Sequence, residues 1–175
     1  PFIISKRKIN IRYYFLIVCD GTSIKSYIHQ NGFMYYTPKF YKENTLDHDE
    51  HVTTGYIDRQ VYEENPLTIT DFNNHIKNPK LFLQKVVELF RATTQALDYK
   101  ICKIGNLMNN KRFQLFGADV APDENLKPYL MEINKGPDMN PKDQRDGDVK
   151  MKVQQDMFNL IEYNQLGDFV QVYSN

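Results

Sequence analysis

The sequence predicts an α+β fold, a mainly antiparallel sheet packed with helices. Three observations carry that expectation. Residues 8–37 are dense in β-branched and aromatic side chains and are cut by Asp20-Gly21 and Asn31-Gly32, dipeptides that favour tight turns. Residues 78–100 place apolar side chains at helical spacing. Residues 111–134 read as two strands around a polar turn, followed by a closing amphipathic segment.

In order, residues 8–19 alternate early, Ile9 and Ile11 against Asn10 and Arg12, and then become continuously apolar. That is the pattern of a strand entering a buried centre. Residues 24–30 and 32–37 continue it as an antiparallel meander. Residues 38–66 are irregular and polar, a long surface excursion of the kind that often carries function. A helix is expected after residue 68, capped by Thr70 or Asp71. The clearest helix opens at Asn78-Pro79 and carries Leu81, Val86, Leu89, Phe90 and Leu97. Residues 105–110 read as a loop. The hairpin of residues 111–134 has its turn at 123–126, and residues 147–163 form the last helix, with Asp146 and Asp148 as its cap and first-turn acids.

The totals restrict the function. At 175 residues the chain holds one domain with a sizeable core. Apolar residues make up 41 % and charged residues 25 %, with zero formal net charge, so no general attraction to nucleic acid or anionic membrane is expected. No apolar run approaches the ~20 residues of a membrane-spanning helix. Cys19 and Cys102 make no disulfide framework and lack zinc-site spacing. They read as reduced, partly buried thiols of an intracellular protein, and the expected location is cytoplasmic. The chain starts at Pro1 inside an apolar stretch, which reads as part of something longer.

The chemistry concentrates in the second hairpin. Glu132 and Asn134 are two residues apart and therefore share a strand face, as do Gly117 and Asp119 on the partner strand. If Asp119 stands opposite Glu132, three oxygen donors converge. Such hard donors suit Mg²⁺, whereas the hairpin offers no thiol or imidazole for zinc. Gly117 would let a ligand or another backbone approach closely. The bland alternative, two polar residues at a wet strand end, stays open on residue types alone.

The arrangement F-Q-L-F-G-x-D, a turn, then L-K-P-Y-L-M-E-I-N resembles the tubulin–tyrosine ligase-like family, a branch of the ATP-grasp ligases. The family carries F-E-L-F-G-x-D, a short turn and K-P-W-L-L-E-V-N. Three further blocks agree in order and spacing: "KRKINIRYYFLIV", "HVTTGYIDR" and "DGDVKMKVQQDMFNLI". The resemblance covers residues 1–161, which it implies are the C-terminal portion of an ATP-grasp domain, with 162–175 an extension. The N-terminal ATP-grasp region would lie in a preceding part of the protein, so this stretch alone is not expected to be a competent enzyme.

The resemblance implies an ATP- and Mg²⁺-dependent carboxylate–amine ligase that joins a free amino acid to a protein substrate, of tubulin-like kind. Asp119, Glu132 and Asn134 match the family's ligands for up to two Mg²⁺ ions. Arg12 matches a phosphate-holding arginine, and Lys8, Asn10 and Asn134 match the nucleotide site. Tyr35, His51, Thr53 and Lys150 match positions near the substrates, with Arg12, Glu132 and Lys150 in catalytic roles. The chain departs from the pattern at Asn10 and Tyr35, where relatives have an acid and an arginine, and at Thr54 and Lys135. These departures motivate the alternative, an inactive relative that serves as a nucleotide-binding or structural module. Neither nucleic acid nor membrane is an expected partner.

Overall fold

A computed structural model describes residues 1–102 and 111–175; the loop expected at 105–110 lies outside the described residues. Among the described residues, seven strands form one sheet and five helices accompany it: β1 (Ile3–Ile4), β2 (Arg7–Asp20), β3 (Ser23–His29), β4 (Phe33–Tyr36), α1 (His48–His51), α2 (Val61–Glu64), α3 (Ile69–His75), α4 (Pro79–Leu97), β5 (Arg112–Pro122), β6 (Pro128–Lys135), α5 (Gln144–Tyr163) and β7 (Phe169–Ser174). The α+β expectation holds, and every strand pairing is antiparallel.

The 14-residue β2 is the axis of the sheet. One edge pairs with β5, which pairs with β6. The other edge is shared by two strands: β3 pairs with residues 15–20 and β4 with residues 9–12. The simple meander is thus corrected, because β3 and β4 follow one another along β2 instead of pairing together. Gly32 sits at the break. A Cβ there would lie 2.1 Å from the Arg12 carbonyl oxygen, so only glycine lets the chain press this close to β2.

Alternation along β2 sorts the two faces. Tyr13 and Phe15 meet Phe90 of α4, with ring centroids 6.0 and 4.9 Å apart. On the opposite face Tyr14 meets Phe33, over which Lys150 of α5 lies at 5.5 Å. The sheet is therefore covered by α4 on one side and approached by α5 on the other. In α4, Asn78 caps the Leu81 amide and Pro79 stands in the first turn, as the sequence suggests. Its buried stripe is Phe82, Val86, Phe90 and Thr94, whereas Leu81 and Leu97, expected in the core, are exposed. The cap of α3 is Thr68, in a reciprocal capping box with Asp71, one turn earlier than expected. The cap of α5 is Asp143, and Asp146 is instead buried.

Three features were not legible. Residues 169–174 form β7, an edge strand paired with β3. Buried Asp156 of α5 fastens the turn leading into it: its carboxylate accepts from the Asp168 amide at 3.0 Å and from Lys152 Nζ at 2.6 Å, and lies 3.2 Å from buried His29 Nε2. Finally, Cys19 and Cys102 are joined in a disulfide. The expectation of two free thiols is corrected; Cys19 near the end of β2 and Cys102 in the segment beyond α4 lie 83 positions apart in sequence, so spacing could not reveal their contact. Among the described residues no helix is long and apolar enough to cross a membrane.

Candidate active-site cleft

Register builds the site. Arg12 on β2 stands opposite Asp119 on β5, and Asp119 stands opposite Glu132 on β6. Gly117 stands opposite Asn134. The next pairs are Asp119–Glu132 and then Val120–Leu130, so Met131 is an extra residue and the strand is bulged beside the acids. Asp119, Glu132, Asn134 and Arg12 all line one cleft of about 300 Å³. The convergence of oxygen donors expected from the hairpin is therefore present.

The charges at this end are tightly coupled. Arg12 donates from Nε to Asp119 Oδ1 at 2.5 Å and from Nη2 to Oδ2 at 2.9 Å, a two-pronged pair with both side chains largely out of solvent. Gly117 makes this possible: a Cβ there would lie 2.9 Å from Arg12 Nη1, so the guanidinium occupies the space that the sequence suggested for a ligand. Burial pushes the Asp119 carboxyl above the usual carboxylate range, against the pull of Arg12, and Glu132 adds repulsion. Glu132 is exposed; the amide of Asn134, donating to its Oε1 at 2.7 Å, and the neighbouring Asp119 hold its carboxyl below the usual range. One arginine thus faces two acids, which leaves this end of the cleft short of positive charge.

The far wall comes from the excursion of residues 38–66 and from α5. Thr53, Thr54, Gly55, Tyr56 and Arg59 line it on one side, and Lys142, Asp146 and Lys150 on the other. The segment is held in place because the Thr54 amide donates to the Tyr36 carbonyl. Lys150 is nearly fully buried, 2.8 Å from Asp146 and donating to the Asn140 carbonyl at 2.6 Å. Arg59 forks onto Asp143. Tyr35 lies beneath the Arg12 guanidinium, 5.0 Å from its ring centre, and burial pushes its phenol up to about 12.

Of the residues singled out from sequence, Arg12, Tyr35, Thr53, Asp119, Glu132, Asn134 and Lys150 share the cleft. Lys8, Asn10 and His51 do not line it. His51 instead packs on Tyr41 at 5.2 Å and lies 3.2 Å from Thr45 Oγ1. Asn10 faces Tyr35 across the strand pair, and its Oδ1 is buried with no hydrogen-bond partner among the described residues. Sequence reasoning missed Gly55, Tyr56, Arg59, Lys142 and Asp146. Gly55 and Arg59 fall in or beside the quoted "HVTTGYIDR" block, which was the available signal.

The chain is similar to known proteins over nearly its whole length. The sequence model of the tubulin-tyrosine ligase family matches residues 1–171. The chain is 23 % identical over 173 residues to the probable tubulin polyglutamylase ttll-9 of Caenorhabditis elegans, covering 93 % of this chain and 40 % of that protein. It is 26 % identical over 181 residues to the probable tubulin polyglutamylase TTLL2 of Mus musculus, covering 95 % of this chain and 32 % of the relative. With tubulin glycylase 3B of Drosophila melanogaster it shares 23 % identity over 154 residues, 81 % of this chain and 20 % of that protein. The chain thus spans less than half the length of these relatives.

Proposed function

Because the chain belongs to the tubulin-tyrosine ligase family, we infer that it supplies one wall of an ATP- and Mg²⁺-dependent carboxylate–amine ligase that modifies a tubulin-like protein in the cytoplasm. The single observation that carries this reading is the register that places Asp119, Glu132 and Asn134 along one cleft wall. The donor set fits the implied ion: two carboxylates and an amide oxygen, with Glu132 exposed and turned toward the cleft. Glu132, Asn134 and Asp119 would hold Mg²⁺. A metal ion held there would supply neutralising charge to the phosphates of ATP.

The chain's own groups do the rest. Glu132 stays ionised because its carboxyl is held below the usual range. Arg12 keeps Asp119 in a fixed orientation and stiffens the wall against which a triphosphate would lie. Lys150 is locked to Asp146, so its contribution is the shape and field of the far wall. A tubulin-like protein substrate and a free amino acid as its co-substrate are supported by the similarity to probable tubulin polyglutamylases and a tubulin glycylase.

The second reading, an inactive nucleotide-binding or structural module, is favoured by one observation: Arg12 and Lys150, the two cations expected to act on substrates, are both committed to carboxylates of the chain itself. Binding and turnover separate the readings. With the full-length protein, tight ATP binding should require Mg²⁺ or Mn²⁺, and a free amino acid should stimulate ATP hydrolysis. Glu132→Gln should abolish that stimulation. Metal-dependent ATP binding without any stimulation by the twenty amino acids would select the module.

A further inference from the structure

The sheet has a second face, and a separate cavity opens on it. Alternation along β2 turns Arg12 and Tyr14 toward the cleft side and Tyr13 toward α4. A cavity of about 230 Å³ lies on the α4 side, bounded by Tyr13 of β2, Gln30 just after β3, α3 and the start of α4. Its apolar wall is Ile69, Pro79, Phe82 and Leu83. None of its lining residues belongs to the cleft, and β2 stands between the two.

The polar side chains of this cavity have unused capacity. Tyr13 is 1 % exposed, and its hydroxyl makes no hydrogen bond to a described residue. A hydroxyl this deep in a fold ordinarily has a partner, because burying it unpaired is costly. The side chains of Gln30, Asn73 and Lys80 line the same cavity, and they too make no hydrogen bond or ion pair to a described residue. No acid lines it. The N-terminus of the 19-residue α4 adds a positive field, with Pro79 and Lys80 in its first turn.

We propose that this cavity binds a small organic acid with an apolar body, the size of one aromatic ring or a short alkyl chain. Its carboxylate accepts from the Tyr13 hydroxyl and the Lys80 ammonium, with the Gln30 and Asn73 amides as further donors, and its body lies on Ile69, Phe82 and Leu83. A cavity of about 150 Å³ is enough to take up benzene, so about 230 Å³ has room for a ring and a carboxylate. Burial pushes the Tyr13 phenol above its ordinary range, which keeps it protonated and able to donate at neutral pH. The site is independent of the ligase reading, since it lies on the other sheet face from Asp119, Glu132 and Asn134 and calls for neither ATP nor a metal ion.

Benzoate is the probe, and benzamide, of the same shape without the charge, is its control. Each is titrated into full-length protein labelled at the isoleucine and leucine methyl groups, and the Ile69 and Leu83 resonances report binding. Benzoate should shift both saturably with a dissociation constant of about 1 mM or lower, and benzamide should bind about fivefold more weakly or worse. Lys80→Ala should weaken benzoate about threefold or more and leave benzamide unchanged. Tyr13→Phe removes one hydroxyl and keeps the ring, and it should weaken both about fivefold. Lys80 is exposed, so Lys80→Ala tests the site even if Tyr13→Phe disturbs the fold. The absence of a saturable shift at Ile69 and Leu83 overturns the proposal, as does benzoate affinity unchanged by Lys80→Ala and Tyr13→Phe alike. Benzamide binding as tightly as benzoate overturns the assignment of an acid.

Discussion

Asp119→Asn and Glu132→Gln, two isosteric changes on paired residues, should have very unequal effects on stability. Asp119 is 6 % exposed and carries both prongs of the Arg12 pair, at 2.5 and 2.9 Å. Removing one partner of a buried ion pair costs about 3–5 kcal/mol, because the other charge stays buried and uncompensated. Here the loss falls at the lower end. Asparagine retains one oxygen acceptor, the Tyr35 ring remains 5.0 Å from the guanidinium, and Glu132 lies across the strand pair. The expected cost is about 3 kcal/mol, roughly a hundredfold in the unfolding equilibrium. Glu132 is exposed and pairs only with Asn134 at its Oε1, so Glu132→Gln should move stability by less than about 0.5 kcal/mol. Urea titration followed by circular dichroism reads both, as midpoint shifts at unchanged slope. An Asp119→Asn variant within about 1 kcal/mol of the parent would refute the view that Arg12 depends on Asp119 for its burial. A strongly destabilised Glu132→Gln would refute the view that Glu132 is an exposed group whose charge the fold does not need.

Further outcomes follow from the rest of the fold. Reduction of the Cys19–Cys102 bond, or Cys19→Ser, should lower stability by up to about 4.5 kcal/mol on the chain-entropy argument for a loop of this length; a melting temperature indifferent to reductant would count against a formed bond. Burial acts to raise the Asp156 carboxyl, but Lys152, the Asp168 amide and His29 together hold it below the usual range. That stabilisation is present above the ordinary carboxylate range and is lost as pH falls through the depressed value, so Asp156→Asn should flatten the acid limb of the stability profile and destabilise the chain at neutral pH. Gly167 has φ +53°, and a Cβ there would lie 2.3 Å from Asp156 Cγ; Gly167→Ala should therefore raise amide exchange along β7 before exchange rises along β2.

The legibility of this chain divides along physical lines. The second hairpin was legible as a hairpin, and two-residue periodicity fixed which residues share a face. Its register was not: a turn confined to 123–126 would set Asp119 opposite Leu130, and it is the longer connection from Pro122 to Pro128, with Met131 as an extra residue, that brings Asp119 opposite Glu132. The first strands could be read as strands but not as partners, since the break at Gly32 depends on contact with the Arg12 carbonyl, which composition does not report. Helix α4 was legible in existence and cap but turned by about one residue, because Leu81 and Leu97 match the periodicity as well as Phe82 does. The disulfide and the latch on Asp156 join residues far apart in sequence, and local pattern carries no signal for either.

The cleft shows why site residues named from sequence need geometry before they receive roles. Arg12 and Lys150 both lie in it, but each is neutralised by a carboxylate of the chain, and each is buried enough that breaking its pair would be costly. Such pairs serve as walls. A ligand does not release Arg12 from Asp119 without supplying comparable charge in the same place. Among the described residues the cleft's charged groups without an opposite charge in ion-pair contact include Glu132, which accepts from the Asn134 amide, and Lys142, which donates to the Gly55 carbonyl. Glu132 carries a negative charge that the fold does not neutralise directly, so it is the acid of the cleft best placed to meet a cation.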